Sequence, residues 1–406
     1  MKNTLIRIFL IFILFSNIIF NVLELPSFSQ TWDIIFELYI ILIFLNRLKT
    51  KSGIPSIFLK SYLLLLFIIA IGLLGNLIFD YASSYLAIIK DVFSFSKFPL
   101  MFLIIKNTNI DTSLSSAINE NFINFIKLTI IFIFLCGIIS LFVDIGMSLD
   151  EYRHGIRSYV FLFSHPTYLV TSMVFILVLF EYKNDIIKNK TIYDVLIIFI
   201  IVLTMRTKGI ALVTVYILFK YFGWFLKKFK VISAIIVFLA IFLVAYSKLS
   251  LYASFSSSAR EILYRGCLIL LKKCFPIGSG FGTYASHISG KYMSKVYQFI
   301  RISYVWEIAG NSIAQLGDTG YPYYIGQFGI VGTIALIKLF ANIYKIALNN
   351  SKPKSYVLLL FIYLLIALTS ESTLLNFGIE TAIILSVITS SEANDNQKEL
   401  GGITTW

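Results

Sequence analysis

Apolar stretches of about twenty residues recur along most of this chain, each long enough to cross a hydrocarbon core roughly 30 Å thick. Only 14% of the 406 residues are charged and 58% are hydrophobic, whereas an ordinary soluble domain is about 25% charged. The pattern predicts an all-α polytopic membrane protein. Twelve spans are expected, near 4–24, 32–47, 60–79, 85–105, 124–144, 160–181, 192–205, 209–225, 231–248, 325–344, 355–370 and 373–390. The pairs 192–205/209–225 and 355–370/373–390 are joined by very few residues and read as tight hairpins. Residues 1–248 thus hold the first nine spans, 249–324 form one large polar insertion, 325–390 hold three more spans, and 391–406 make a polar tail.

The formal charge of +13 is not a nucleic-acid signal in such a chain, because basic residues of polytopic proteins mark the cytoplasmic side. With the N-terminus inside, the inner segments carry Lys2 and Arg7; Arg47, Lys49 and Lys51; Lys106; Lys183, Lys188 and Lys190; Lys227, Lys228 and Lys230; Lys345, Lys352 and Lys354; and Lys398. The outer loops at 25–31, 80–84 and 371–372 have neither Lys nor Arg. Both termini are therefore expected in the cytoplasm and 249–324 outside. Lys2 and Arg7 precede the first apolar segment, but no small-residue cleavage site follows it, which predicts an uncleaved first span. Cys267 and Cys274, seven apart, read as free or buried thiols rather than a disulfide. His154, His165 and His287 have no second ligand at metal-site spacing.

Two short outer loops break the charge rule. In Asp150 to Arg157, the acids Asp150 and Glu151 are near enough to neutralise Arg153. For Arg206 and Lys208 no acid lies nearby in sequence. Guanidinium binds phosphate through two donors at once. Arg157, Arg206 and Arg260, all approaching from outside, are thus candidates for holding a pyrophosphate at headgroup level. Lys90, Asp91 and Lys97 lie within the fourth span, where ionisable groups face the bundle interior or a polar cavity. They suit a polar seam and a lipid-headgroup role equally.

Loops longer than about 15 residues are uncommon and usually functional, so the insertion at 249–324 is where chemistry is expected. Its run Phe275 to Tyr284 contains Gly278, Gly280 and Gly282. It lacks the preceding strand and following acid of a nucleotide-binding loop. It reads instead as a tight reversal after Pro276, close to a ligand or to another helix.

Taken together, these residues resemble the O-antigen polymerase and ligase superfamily, the Wzy-type polymerases and their ligase relatives. In that family a basic residue precedes a span that opens with a Pro-containing segment, as Arg157 through Pro166 does. An Arg at the outer end of a span is followed by small residues, as in Arg206 to Ala211, with Lys208 an insertion-like departure. An Arg about fifteen residues before Pro-x-Gly-x-Gly-x-Gly is matched by Arg260 and Pro276 through Gly282. Where the ligase branch has a His-Asn pair before the next span, this chain has Asp318 and Thr319, with Gln327, Gly329 and Gly332 in the register that follows. Asp318 in place of histidine favours the polymerase branch.

The resemblance implies a metal-independent glycosyltransferase with a membrane-embedded, GT-C-like fold in the bacterial inner membrane, using no cofactor and no nucleotide sugar. Its donor and acceptor are undecaprenyl-pyrophosphate-linked glycans, and its product is O-antigen, the polysaccharide of lipopolysaccharide, or capsule. Membrane lipids and a chain-length regulator protein are the implied partners; nucleic acid is not. Arg157, Arg206, Arg260, Lys208, Gly278, Gly280, Gly282 and Tyr284 are then expected to bind pyrophosphate and glycan. Asp318, where the loop re-enters the membrane, is expected as the base for the acceptor hydroxyl, with Glu261, Glu307 and His165 in reserve. The rival within the family is a ligase. The rival from another class is a flippase or transporter with twelve spans, which should show paired half-molecules and broken helices at the membrane midplane in corresponding positions; the sequence shows neither, and a single dominant external loop argues against it.

Overall fold

The computed structural model describes residues 2–48, 54–153, 155–221, 259–300, 316–317, 319–349 and 355–390. The expected span at 231–248, His154, Glu307 and Asp318 lie outside the described residues. The described chain is mostly helical. Its longer helices are α1 (Lys2–Val22), α2 (Pro26–Leu48), α3 (Ser56–Phe79), α4 (Tyr85–Asn107), the short α5 (Ile110–Ser116), α6 (Glu120–Phe142), α7 (Pro166–Tyr182), α8 (Lys190–Leu203) and α9 (Thr207–Tyr221). There follow α10 (Ala259–Lys273), the short α11 (His287–Lys291) and α12 (Lys295–Phe299), α13 (Gly320–Asn349), α14 (Ser355–Ala367), α15 (Thr373–Asn376) and α16 (Gly378–Ile388). An antiparallel hairpin, β1 (Ser148–Arg153) and β2 (Ile156–Tyr159), joins α6 to α7.

Among the described residues, four helices are long and apolar enough to cross a membrane: Asn3–Val22, Ser56–Phe79, Glu120–Phe142 and Gly320–Asn349. This is a membrane protein by length and composition. Helices α2 and α4 are as long as α6, but Asp33 and Glu37 interrupt the first and Lys90, Asp91 and Lys97 the second. Their outward faces stay apolar: Leu38, Leu42 and Leu45 on α2, and Leu86 and Ile89 on α4, are exposed, as lipid-facing positions should be.

Loops expected on one side of the membrane meet one another. Asn21 donates to the Leu162 carbonyl at 3.1 Å, Lys295 reaches Asp80 at 2.7 Å, and Ser372 donates to the Gly317 carbonyl at 2.8 Å. At the opposite end Arg7 donates to the Ala117 carbonyl at 3.1 Å, and Lys106 donates to the Thr389 carbonyl at 2.7 Å. If the charge rule sets the orientation, Met293→Cys, exposed at the first end, should react with an impermeant thiol reagent on intact cells. Lys188→Cys, exposed at the second, should react only after lysis. The reverse pattern inverts every assignment of side.

Where it is described, the insertion expected at 249–324 packs against the helices. Helix α10 packs on α13, and Cys267, Cys274, Phe281, Tyr284 and Val296 are fully or almost fully buried. Cys267 and Cys274 are free thiols, as expected. The segment from Pro276 to Ala285 enters the bundle between α3, α4 and α13. Irregular backbone survives at such depth only if protein satisfies it, and here it does. The N–H groups of Ser279 and Gly280 donate to the Gly326 and Gln327 carbonyls at 3.0 and 2.9 Å. Those of Phe281 and Gly282 donate to the Asn76 and Asp91 side chains at 2.8 and 2.7 Å. Gly280, at φ +92°, touches Asn76 so closely that a Cβ would lie 2.5 Å from its backbone nitrogen.

Some of the described helices are interrupted. Helix α1 is interrupted at Phe15 (φ −127°, ψ 17°), and α13 at Gly329 (φ 61°, ψ −159°). Phe377 (φ −122°, ψ 31°) separates the single turn of α15 from α16. Phe15 is neither glycine nor proline, so residue type gave no warning of that break, whereas Gly378 stands directly after Phe377.

Candidate functional site

The turn between α8 and α9 fixes the first functional side chain. Thr204 closes α8 by donating to the Ile201 carbonyl at 2.6 Å, and its hydroxyl oxygen accepts from the Arg206 N–H at 3.3 Å. The Arg206 carbonyl then accepts from Gly209 and Ile210, which starts α9. Gly209 lets α9 approach α7 and α8: a Cβ there would lie 2.7 Å from Ile201 and 3.2 Å from Val170. Arg206 is thereby held at the helix start with its side chain only 11% exposed.

Two further elements reach Arg206, and a third pairs with its near neighbour Lys208. From β1, Glu151 accepts from Arg206 at 2.9 Å and from Arg153 at 2.5 Å. From α10, Arg260 is near enough for its charge to act on Arg206. Burial, then Arg153, lower the pKa of Arg206, and Arg260 adds to that. Burial opposes ionisation of Glu151, and Arg153 and Arg206 overcome it, leaving its carboxyl below the usual range. From the turn after α14, Glu371 forms a buried ion pair with Lys208. The Lys208 ammonium also lies 5.9 Å from the Tyr363 ring centre, and the Tyr363 and Thr171 hydroxyls are 2.6 Å apart. Tyr264 of α10 donates to the Thr369 carbonyl at 3.2 Å, tying Arg260's helix to Glu371's turn.

His165 caps α7, its Nδ1 at 2.7 Å from the Thr167 hydroxyl.

The structure thus brings Arg206, Lys208 and Arg260 together and adds Arg153, Glu151 and Glu371. Arg157 is placed elsewhere. Its guanidinium pairs with Asp144, donates to the Tyr152 hydroxyl at 2.9 Å and reaches Asp150 at 3.9 Å. It is not among the charges that weigh most on Arg206. Arg153 and Arg157 stand close on the same hairpin, and sequence alone could not say which one turns inward. Glu371 was missed because it had no basic neighbour in sequence, although a single acid between two apolar spans was visible.

Gly278, Gly280, Gly282 and Tyr284 lie in the buried segment already described, against α3, α4 and α13. Tyr284 is fully buried and donates to the Leu263 carbonyl at 2.5 Å. These residues position α10 and α13. Glu261 pairs with Arg265 one turn along α10. In α4, Lys90 donates to the Tyr292 hydroxyl at 2.9 Å and Asp91 is fully buried on Gly282. Asp91 is part of a structural seam. Among the described residues no group of His, Cys, Asp or Glu is arranged to hold a metal ion. No protein-family model, curated protein or solved structure matches the chain.

Proposed function

We propose that this chain is a membrane-embedded glycosyltransferase that polymerises lipid-pyrophosphate-linked oligosaccharide repeat units, with twelve spans and a GT-C-like fold, working on the outer face of the bacterial inner membrane. The observation that carries the reading is the gathering of Arg153, Arg206 and Arg260 from three separate elements at one end of the bundle. Glu151 offsets part of this positive charge, and a bound anion would offset more of it. A lipid pyrophosphate is such an anion, and it leaves without a proton once its charge is stabilised by preorganised donors. The guanidinium fork suits its oxygens.

The acceptor hydroxyl needs a base. Asp318 remains the first choice and lies outside the described residues. Its chain neighbours Gly317 and Thr319 both offer carbonyls to Ser372, next to Glu371. Asp318→Asn is expected to abolish polymer at unchanged protein level, and Asp318→His to retain part of the activity. Full activity in Asp318→Asn passes the role to another carboxylate, and Glu371→Gln, measured beside it, identifies Glu371 as the alternative.

The reading as a polymerase is tested by deleting the gene and analysing the lipid-linked glycans. One repeat unit per lipid is expected; long lipid-linked chains lacking their final acceptor would indicate a ligase. The broken helices at Phe15, Gly329 and Phe377 favour one second reading, a flippase or transporter of lipid-linked glycan. Its loss would trap repeat units on the inner face.

A further inference from the structure

The breaks in α1 and between α15 and α16 meet at a group of ionisable side chains that glycosyl transfer does not use. Asp33 and Glu37 stand one turn apart on α2, and Ser96 and Lys97 face them from α4. Ser16, beside the break at Phe15, donates to Glu380 of α16 at 3.3 Å. Glu380 is the third residue of α16, directly after the break at Phe377. Lys97 forms an ion pair with Asp33 and also donates to the Leu375 carbonyl on α15 at 3.2 Å. The Lys97 and Asp33 charges act on both Glu37 and Glu380.

Each glutamate is half satisfied. One oxygen of Glu37 accepts from the Ser96 hydroxyl at 2.6 Å, and one oxygen of Glu380 accepts from Ser16. The second oxygen of each is buried with no partner. Glu37 is fully buried and Glu380 is 7% exposed. Three carboxylates therefore share a single ammonium, and Lys97 is committed to Asp33. A bare carboxylate oxygen inside a helix bundle is costly. A proton on that oxygen removes the charge and leaves an acid group the bundle can hold. A metal cation fits poorly, because Lys97 already holds the cationic position and the carboxylates do not converge as ligands. The other ion pair that involves α4, Lys106 with Asp111 of α5, lies nine residues further along, at the opposite end of the bundle from Arg206. Helices α1 and α7 bring no charged residue to this group: Arg7 binds Ala117 and Glu181 binds Lys190, both at that opposite end.

We propose that Glu37 and Glu380 form an intramembrane proton-binding site, with the Asp33–Lys97 pair as its fixed partner charges. The site stands whether the chain polymerises or transports. Through Lys97 and the Leu375 carbonyl it is linked to α15, and one turn of that helix separates it from Glu371. Proton uptake is thereby placed to shift the turn that carries Glu371.

The test uses the purified full chain in lipid nanodiscs. Infrared spectra near neutral pH should show a protonated-carboxyl band that disappears in alkaline buffer. Glu37→Gln and Glu380→Gln should each remove part of it, since glutamine copies the neutral acid in shape. A band unchanged in the double variant, or absent at neutral pH, overturns the proposal. The wild-type chain gives an answer that needs no variant to fold. A hydrophobic carbodiimide, which attacks protonated carboxyls, should modify Glu37 or Glu380 at mildly acidic pH and not at alkaline pH, as read by mass spectrometry. No modification of either residue at any pH contradicts the site.

Discussion

Arg206→Lys and Arg260→Lys are each expected to lower polymer formation by about 10²–10³-fold, the usual loss when one preorganised donor to a developing oxyanion is removed. Lysine keeps the charge but loses the planar fork that binds two phosphate oxygens together. Arg206 has little freedom to compensate, because its backbone starts α9 and its side chain is 11% exposed. Arg157→Lys is the internal control. Its guanidinium is bound to Asp144 and Tyr152 on the hairpin, so it should leave chain length near that of the wild type. Gel profiles of surface polysaccharide at matched protein levels give the comparison. Wild-type chain lengths from both Arg206→Lys and Arg260→Lys would reduce these residues to interfacial anchors. Loss in Arg157→Lys alone would move the site to the hairpin.

Lys208→Met is expected to destabilise the protein by about 3–5 kcal/mol, the cost of removing one partner of a buried ion pair. The side chains of Lys208 and Glu371 are 3% and 8% exposed, and one Glu371 oxygen is already buried without a partner. Without Lys208 the carboxylate has no cation in contact. The double variant Lys208→Met/Glu371→Gln should recover most of the lost stability, because the uncompensated charge is gone. Thermal denaturation of the four proteins in detergent completes the double-mutant cycle. Additive losses would mean that the two residues do not interact.

Hydropathy made the helices legible. The expected spans with described coordinates fall on helices apart from residues at their ends, and 373–390 covers two, α15 and α16. Arg206 was legible because cations in a short loop expected outside oppose the insertion bias, and Arg260 because it lies in the long insertion where chemistry was expected. The partners were not. Glu371 lies 163 residues from Lys208, and Glu151 lies 55 from Arg206. Such contacts depend on which helices are neighbours, and hydropathy does not encode that. The glycine run showed a chain reversal, but its placement against Asn76 and Asp91 depended on two polar residues in separate spans. The break at Gly329 had a glycine to mark it. That at Phe377 has Gly378 directly after it, and that at Phe15 has no glycine or proline beside it.

The most direct measurement of the central claim supplies the purified protein, in nanodiscs, with synthetic lipid-pyrophosphate-linked repeat units and nothing else. The account predicts a ladder of lipid-linked polymers together with released lipid pyrophosphate, and no ladder from Arg260→Lys. Repeat units left unextended by the well-folded wild-type protein would contradict it.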